Sequence, residues 1–242
     1  MSVGKDYRFY TQYRRYSELK QLDWIVSNVE YHKADRQASS ISILDIGCGK
    51  GNISLPLASL GYQIHGIDLD PNEISYVIQK NKFPNASFEV GDAEKIILED
   101  RYNIVICSAI FEHLLFPENL FLKLREIVKR DGIILITIPN GYGPYELFYE
   151  TPMRILSRSC NKLLGRPDTS ADPHVHKHNF TLKTFSSLMG DYIYIHSVGH
   201  SDFMSFWPII RRVDFLVTID CKIADYLPNP LVSGWHLVCK PK

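Results

Sequence analysis

From about residue 40 the chain alternates short apolar runs with stretches whose apolar residues recur every three or four positions. The run Ser42-Ile43-Leu44-Asp45-Ile46 stops at a glycine cluster, the pattern of a strand buried on both faces. Residues 52–60 then read as a helix ended by Gly61, and residues 63–68 as a second strand. Asp70 suits an N-cap and Pro71 a first helical turn, opening a helix that runs to about Lys80. Residues 86–90 and 102–107 read as strands three and four. Residues 117–130 carry Leu120, Leu124, Ile127 and Val128 on one helical face, and Asp131-Gly132 turns the chain into a fifth strand over 133–138. This β–α alternation predicts an α/β fold, a doubly wound, mostly parallel sheet with helices on both faces.

Outside that core the pattern is less regular. A helix is predicted from Ser17 to about His32, with Leu19, Leu22, Val26 and Val29 along one side, as an N-terminal helical cap. Between residues 139 and 180 lie turn residues (Pro139-Asn140-Gly141, Gly143-Pro144, Gly165-Arg166-Pro167, Asp172-Pro173), aromatics and three histidines. This excursion leaves the C-terminal end of strand five, where open α/β sheets place their ligands, and reads as a lid or substrate insertion. Thr181 then caps a short helix to Met189, and residues 192–198 alternate like a strand. Residues 209–227 favour a helix stopped before Pro228, although 215–219 also suit a strand. The helix puts Asp220 on an apolar face, where it needs a partner. Residues 235–239 read as a closing strand. One domain over 1–242 is expected: cap 1–40, core 41–138, insertion 139–180, and C-terminal strands and helix 181–242.

Composition narrows the setting. The 242 residues carry 27 Lys+Arg against 27 Asp+Glu, so nothing suggests a broad phosphate-neutralising face, and nucleic acid is not the expected partner. Runs such as 133–138 are far short of the roughly 20 apolar residues a membrane span needs. The start MSVGKDYRFYTQYRRY has no apolar signal region. Five scattered cysteines (Cys48, Cys107, Cys160, Cys221, Cys239) include no Cys-x-x-Cys pair, which favours reduced thiols and a cytoplasmic protein.

The candidate chemistry begins at Gly47-Cys48-Gly49-Lys50-Gly51, where a strand runs into a glycine loop and then a helix. A phosphate-binding loop needs Ser or Thr after its Lys, and here Gly51 follows Lys50. A dinucleotide fingerprint needs a third glycine at position 52, which is Asn52. The spacing is G-x-G-x-G instead. Asp68 ends the next strand, where a carboxylate can accept hydrogen bonds from a ribose diol. Gly91-Asp92-Ala93 follows strand three, where a second acid can receive an adenine amino group. Each acid alone also reads as a helix cap; at successive strand ends beside the loop, a binding site is the better account.

These segments resemble the class I S-adenosylmethionine-dependent methyltransferases. The resemblance is carried by LDIGCGKG (44–51), GIDLD (66–70), GDAEKI (91–96), YNIVICSAIFEHL (102–114) and DGIILITIPN (131–140). It implies a seven-stranded Rossmann-like sheet whose last strand is antiparallel, supplied here by 192–198 and 235–239. It also implies S-adenosyl-L-methionine as cofactor, held by Asp45, Gly47, Cys48, Gly49, Asp68, Leu69, Asp92, Ala93 and Ser108. The glycine loop would pack on the methionine portion, Asp68 would hold the ribose, and Asp92 and Ala93 would frame the adenine. Ser108 would face the methionine end.

A hydroxyl acceptor gains from a general base, and histidine suits neutral pH. The candidates are His113 after strand four, and His176 and His178, with His174, in the insertion. Alternating histidines on an extended segment could hold zinc, but only Asp172 stands nearby as a further ligand, and no metal is expected. Cys48 and Cys107 read as packing residues. Ser108-Ala109-Ile110-Phe111 stands where amino-methylating nucleic-acid enzymes carry Asn/Asp-Pro-Pro-Tyr/Phe. The resemblance therefore leans to the branch that O-methylates small hydroxylated molecules: quinone precursors, saccharides or natural products. Alternatives are a catalytically silent donor-binding regulator or partner subunit, and a methyltransferase acting on protein or RNA.

Overall fold

The computed structural model describes residues 4–163, 176–205, 207 and 210–242. Alternation along the central strands explains why they read as unbroken apolar runs. From β1 (Ser42–Ile46), β4 (Tyr102–Ser108) and β5 (Val128–Pro139), residues Ile43, Ile104, Ile106, Ile133 and Leu135 face one buried cluster. Leu44, Ile46, Val105, Cys107, Ile134 and Ile136 face the other. Both faces of the sheet are covered, as a parallel sheet requires. α1 (Tyr16–Lys33) buries Leu22, Ile25, Val26 and Val29 in the first cluster, and α4 (Pro117–Ile127) buries Leu120, Phe121 and Leu124 in the second.

The remaining elements are α2 (Ser54–Ser59), β2 (Gln63–Asp68), α3 (Pro71–Lys80), β3 (Ala86–Val90), α5 (Thr151–Leu163), α6 (Leu182–Met189), β6 (Ile193–His200), α7 (Asp214–Ala224) and β7 (Gly234–Pro241). The seven strands run in the order β3-β2-β1-β4-β5-β7-β6. All neighbours from β3 to β5 are parallel, and β7 is antiparallel to both β5 and β6. The expected Rossmann-like sheet, with its antiparallel last strand, is therefore present.

Local chemistry accounts for the element ends. The Asp70 carboxylate accepts from Asn72 N–H at 2.8 Å and caps α3, with Pro71 in its first turn. Thr181 caps α6 through Thr184 N–H at 3.1 Å. Asp220, on the buried face of α7, accepts from Phe203 N–H (3.0 Å), Met204 N–H (2.8 Å) and Ser205 Oγ–H (2.7 Å). That is the partner its position demanded.

Several boundaries differ from the sequence expectation, and α7 covers only Asp214–Ala224 of the expected 209–227. α2 begins at Ser54 rather than 52, because residues 51–53 are still turning out of the glycine loop. α4 ends at Ile127, and Val128 already pairs with Tyr102 in β5. Asp131-Gly132 is no turn between elements but part of an irregular stretch of β5, where the register shifts before Ile133 pairs with Ile104. A Cβ on Gly132 would lie 2.7 Å from Val128 Cγ2 and 2.8 Å from Asn103 O, so only glycine permits that close passage. No helix of the described residues is long and apolar enough to cross a membrane.

Candidate active site

The parallel strands end together on one side, and two cavities open there. The first, about 490 Å³, lies over the C-terminal ends of β1, β2 and β3. Its floor is the glycine loop, tied down where Gly47 N–H and Cys48 N–H donate to Ile67 O at 2.7 and 3.0 Å. Gly47 and Gly49 take φ of +76° and +48°, a region that disfavours side chains. A Cβ on Gly47 would sit 2.9 Å from Ile110 Cδ1, so the bare backbone is what leaves room between the loop and the chain after β4. Asp68 accepts from Gly49 N–H at 2.8 Å through Oδ2 and from Asp70 N–H at 2.9 Å through Oδ1. It therefore holds the loop while facing the cavity. Asp92 lines the far end, and the Lys95 ammonium 2.8 Å from Oδ2 holds its carboxyl below the usual range. Between the acids the wall is apolar: Ile67, Leu69, Ala93 and Ile110.

The second cavity, about 480 Å³, lies beyond β4, over the ends of β5 and β7. Arg15, Ser17 and Gln21 from the start of α1 close one side, and Tyr145, Tyr149 and His176 from the insertion another. Ser201, Asp202 and Ser205 add a polar wall beside Trp235 and His236. Lys20 anchors that wall to α1, donating to Ser201 O at 2.9 Å and Cys221 O at 2.7 Å.

Ala109 lines both cavities. It has a left-handed φ of +50°, a strain of about 1–2 kcal/mol for a residue with a Cβ. The turn it makes sends Ile110 and His113 to the first cavity and Glu112 to the second. Glu112 is 2% exposed, burial pushes its carboxyl up to about 8, and its Oε2 has no hydrogen-bond partner among the described residues. The His113 and His176 rings meet edge to face, 5.2 Å between centroids. Burial lowers the His176 imidazole, and Glu146, itself raised by burial, lies 3.9 Å from His176 Nδ1.

Of the residues expected to hold the cofactor, Gly47, Gly49, Asp68, Leu69, Asp92 and Ala93 line the first cavity. Asp45 lies beneath the loop, accepting from Ser54 Oγ, with its carboxyl raised by burial to about 7. Cys48 packs its side chain against Leu55, Ile74 and Val77, and burial raises its thiol far above the ordinary range. Ser108 faces the other way, exchanging a hydrogen bond with Thr137 and accepting from Gln21 Nε2 at 2.7 Å. Among the histidines, His113 and His176 converge. His178 stacks on Phe180 at 5.5 Å and is not among the described residues lining either cavity, and His174 lies outside the described residues. Sequence reasoning passed over Glu112, Glu146 and Gln21; a glutamate flanked by the apolar Ile110, Phe111 and Leu114 is the one signal it offered for Glu112.

Comparison with known proteins identifies the family. A family model described as a methyltransferase domain matches residues 37–183. The chain belongs to this methyltransferase family, of the class I S-adenosylmethionine-dependent type. A ubiquinone biosynthesis O-methyltransferase of Rickettsia typhi is 30% identical over 131 residues, 53% of this chain and 52% of that protein. A malonyl-(acyl-carrier protein) O-methyltransferase of Bacillus cytotoxicus is 32% identical over 130 residues, 53% of this chain and 45% of that one. The chain thus spans about half the length of the curated relatives it matches. Among solved structures, the PH0226 protein of Pyrococcus horikoshii superposes with a TM-score of 0.61 at 17% identity, covering 100% of both chains. The magnesium protoporphyrin IX methyltransferase of Synechocystis, solved with bound S-adenosylhomocysteine, gives 0.58 at 15% identity over 92% of this chain and 82% of that one. At such identities the likeness is one of fold.

Proposed function

We propose that the chain transfers a methyl group from S-adenosylmethionine to a hydroxyl of a small acceptor. The observation that carries this reading is the meeting of the two cavities at Ala109, a glycine loop and two acids in one and a polar, aromatic-walled chamber in the other. The donor set of the first cavity fits the cofactor. Asp68 offers carboxylate oxygens to a ribose diol, Asp92 stands at the far end for an amino group, and Leu69, Ala93 and Ile110 supply apolar contact for a base. Gly47 and Gly49 leave a backbone cradle that a Cβ on Gly47 would fill. When bound, this group supplies an electrophilic methyl carbon on a sulfonium.

The protein's own contribution is mostly placement. Tyr145, Tyr149 and Trp235 give a ring-shaped acceptor flat surfaces, while Arg15, Ser17, Gln21 and Asp202 meet its polar edge. Glu112, His113 and His176 stand where an acceptor hydroxyl must lose its proton. Zero net charge and a chamber of this size favour a small molecule over a nucleic acid. The free thiols of Cys48, Cys107, Cys160, Cys221 and Cys239 suit a cytoplasmic setting. O-methyltransferases among the relatives support an oxygen acceptor.

Calorimetric titration with S-adenosylhomocysteine tests the reading. Saturable one-to-one binding is expected, with no binding of a nicotinamide dinucleotide. Silence with the first ligand alongside saturation by the second would overturn it.

A further inference from the structure

The junction between the cavities holds more than two candidate bases. Glu112, His113 and His176 each bring one ligand-type atom to a common point, all within 4.8 Å of one another. The first two come from a single turn, Phe111–His113, and the third from the far end of the insertion. The insertion is pinned there, because Lys177 N–H donates to Glu112 O at 2.7 Å. Glu112 Oε1 lies 4.0 Å from His113 Nε2, while Oε2 is buried and lacks a hydrogen-bond partner among the described residues. Such a carboxyl is costly to a fold unless what it binds belongs to the working site. Glu146 repeats the theme one step out: 1% exposed, Oε2 without a hydrogen bond among the described residues but 3.9 Å from His176 Nδ1, and Oε1 reached by Arg154 at 3.3 Å.

We propose that Glu112, His113 and His176 form a binding site for one divalent cation of the Zn²⁺, Mn²⁺ or Fe²⁺ type. Two imidazoles and one carboxylate suit these ions and leave coordination positions open. Glu146 is the outer carboxylate that sets the orientation of the His176 ring. The inference rests on the methyltransfer reading and deepens it. Glu112 and His176 line the acceptor cavity and His113 the donor cavity, so the ion stands between them. Its open positions would take the acceptor hydroxyl and lower its pKa, so that its proton leaves to solvent as the oxygen takes the methyl group and the donor sulfonium becomes a neutral thioether. In this role the two histidines are ligands rather than bases. The site departs from the expectation of no metal, because its ligands lie far apart in sequence, whereas Asp172 alone stands near the alternating histidines.

The test is calorimetric titration of the EDTA-treated, dialysed full chain with Zn²⁺ and, separately, Mn²⁺. One equivalent is expected to bind. Affinity should fall by about a hundredfold or more in both Glu112→Gln and His176→Gln, and by about ten- to a hundredfold in Glu146→Gln. His196→Gln, at an exposed position on β6, should leave it unchanged. No saturable binding, or one-equivalent binding that survives in either Glu112→Gln or His176→Gln, overturns the site. Circular dichroism checks each variant. Should Glu112→Gln fail to fold, His176→Gln, a part-exposed position, decides. Titrating S-adenosylhomocysteine into the same stripped protein separates the two claims: donor binding without metal binding ends the ion site and leaves methyl transfer standing.

Discussion

Replacing Asp68 by Ala tests both the loop tie that its carboxylate makes and the ribose contact proposed for the same group. Oδ2 accepts from Gly49 N–H at 2.8 Å, and Oδ1 from Asp70 N–H at 2.9 Å. The Asp70 amide can turn to water, but the Gly49 amide sits in a part-buried loop and loses its acceptor. A stability loss of about 1–2 kcal/mol is expected from that amide. For a chain of this length the loss lowers the unfolding midpoint by roughly 2–8 °C. Loss of charge-assisted bonds to the ribose adds an effect on the ligand alone, roughly 1.5–3 kcal/mol, or about ten- to a hundredfold in affinity. Calorimetry with S-adenosylhomocysteine reads the second quantity and thermal unfolding without ligand reads the first. Asp68→Asn keeps one acceptor and should fall between. A lowered midpoint with donor affinity unchanged would refute the ribose assignment and leave Asp68 as a tie for the loop.

Other expectations follow from single residues. In Gly51→Ala the new Cβ takes a φ of +76° and lies 2.5 Å from Val77 Cγ2, so denaturant unfolding should show a loss of about 2–5 kcal/mol. Because Gly51 does not line the donor cavity, S-adenosylhomocysteine affinity of the folded fraction should stay within a few-fold. His236 is held neutral by burial, then by Lys20 and His200, at about 3 against an ordinary 6.5. The unfolded chain takes up this proton first, so stability from this group is complete above pH 6.5 and drains away as pH falls from 6.5 toward 3. Comparing wild type with His236→Gln at pH 7.5 and about pH 5 should isolate about 2 kcal/mol. Asp220→Ala strips acceptors from two amides and the Ser205 hydroxyl, and should cost about 2–4 kcal/mol in the same unfolding assay. Since Ser205 lines the second cavity, that variant should weaken acceptor use and spare donor affinity.

What could be read from the chain was what neighbours in sequence decide. Asp70 before Pro71 marked the start of α3, and Thr181 the start of α6, because capping is local. The donor cavity was readable for a related reason: the spacing of Gly47, Gly49 and Gly51 and the acids closing β2 and following β3 are properties of short segments. Val128 was misassigned because it continues the helical period of Leu124 and Ile127 by one step, while pairing with the distant Tyr102 turns it into a strand residue. The second cavity is distributed over residues as far apart as Arg15, Thr137, Tyr149, Ser205 and His236, which no local pattern brings together. Glu112 was visible as a letter in a familiar run, but its burial depends on the insertion returning to bond its carbonyl through Lys177.

The account stands most directly on where the methyl group goes. The chain incubated with S-adenosylmethionine labelled in its methyl group, against cell extract separated into small-molecule, protein and RNA fractions, gives the answer in one experiment. Label is expected in the small-molecule fraction, on oxygen, and strongly reduced with Asp68→Ala. Label confined to protein or RNA, or no transfer to any fraction by a chain that binds S-adenosylhomocysteine, would contradict it.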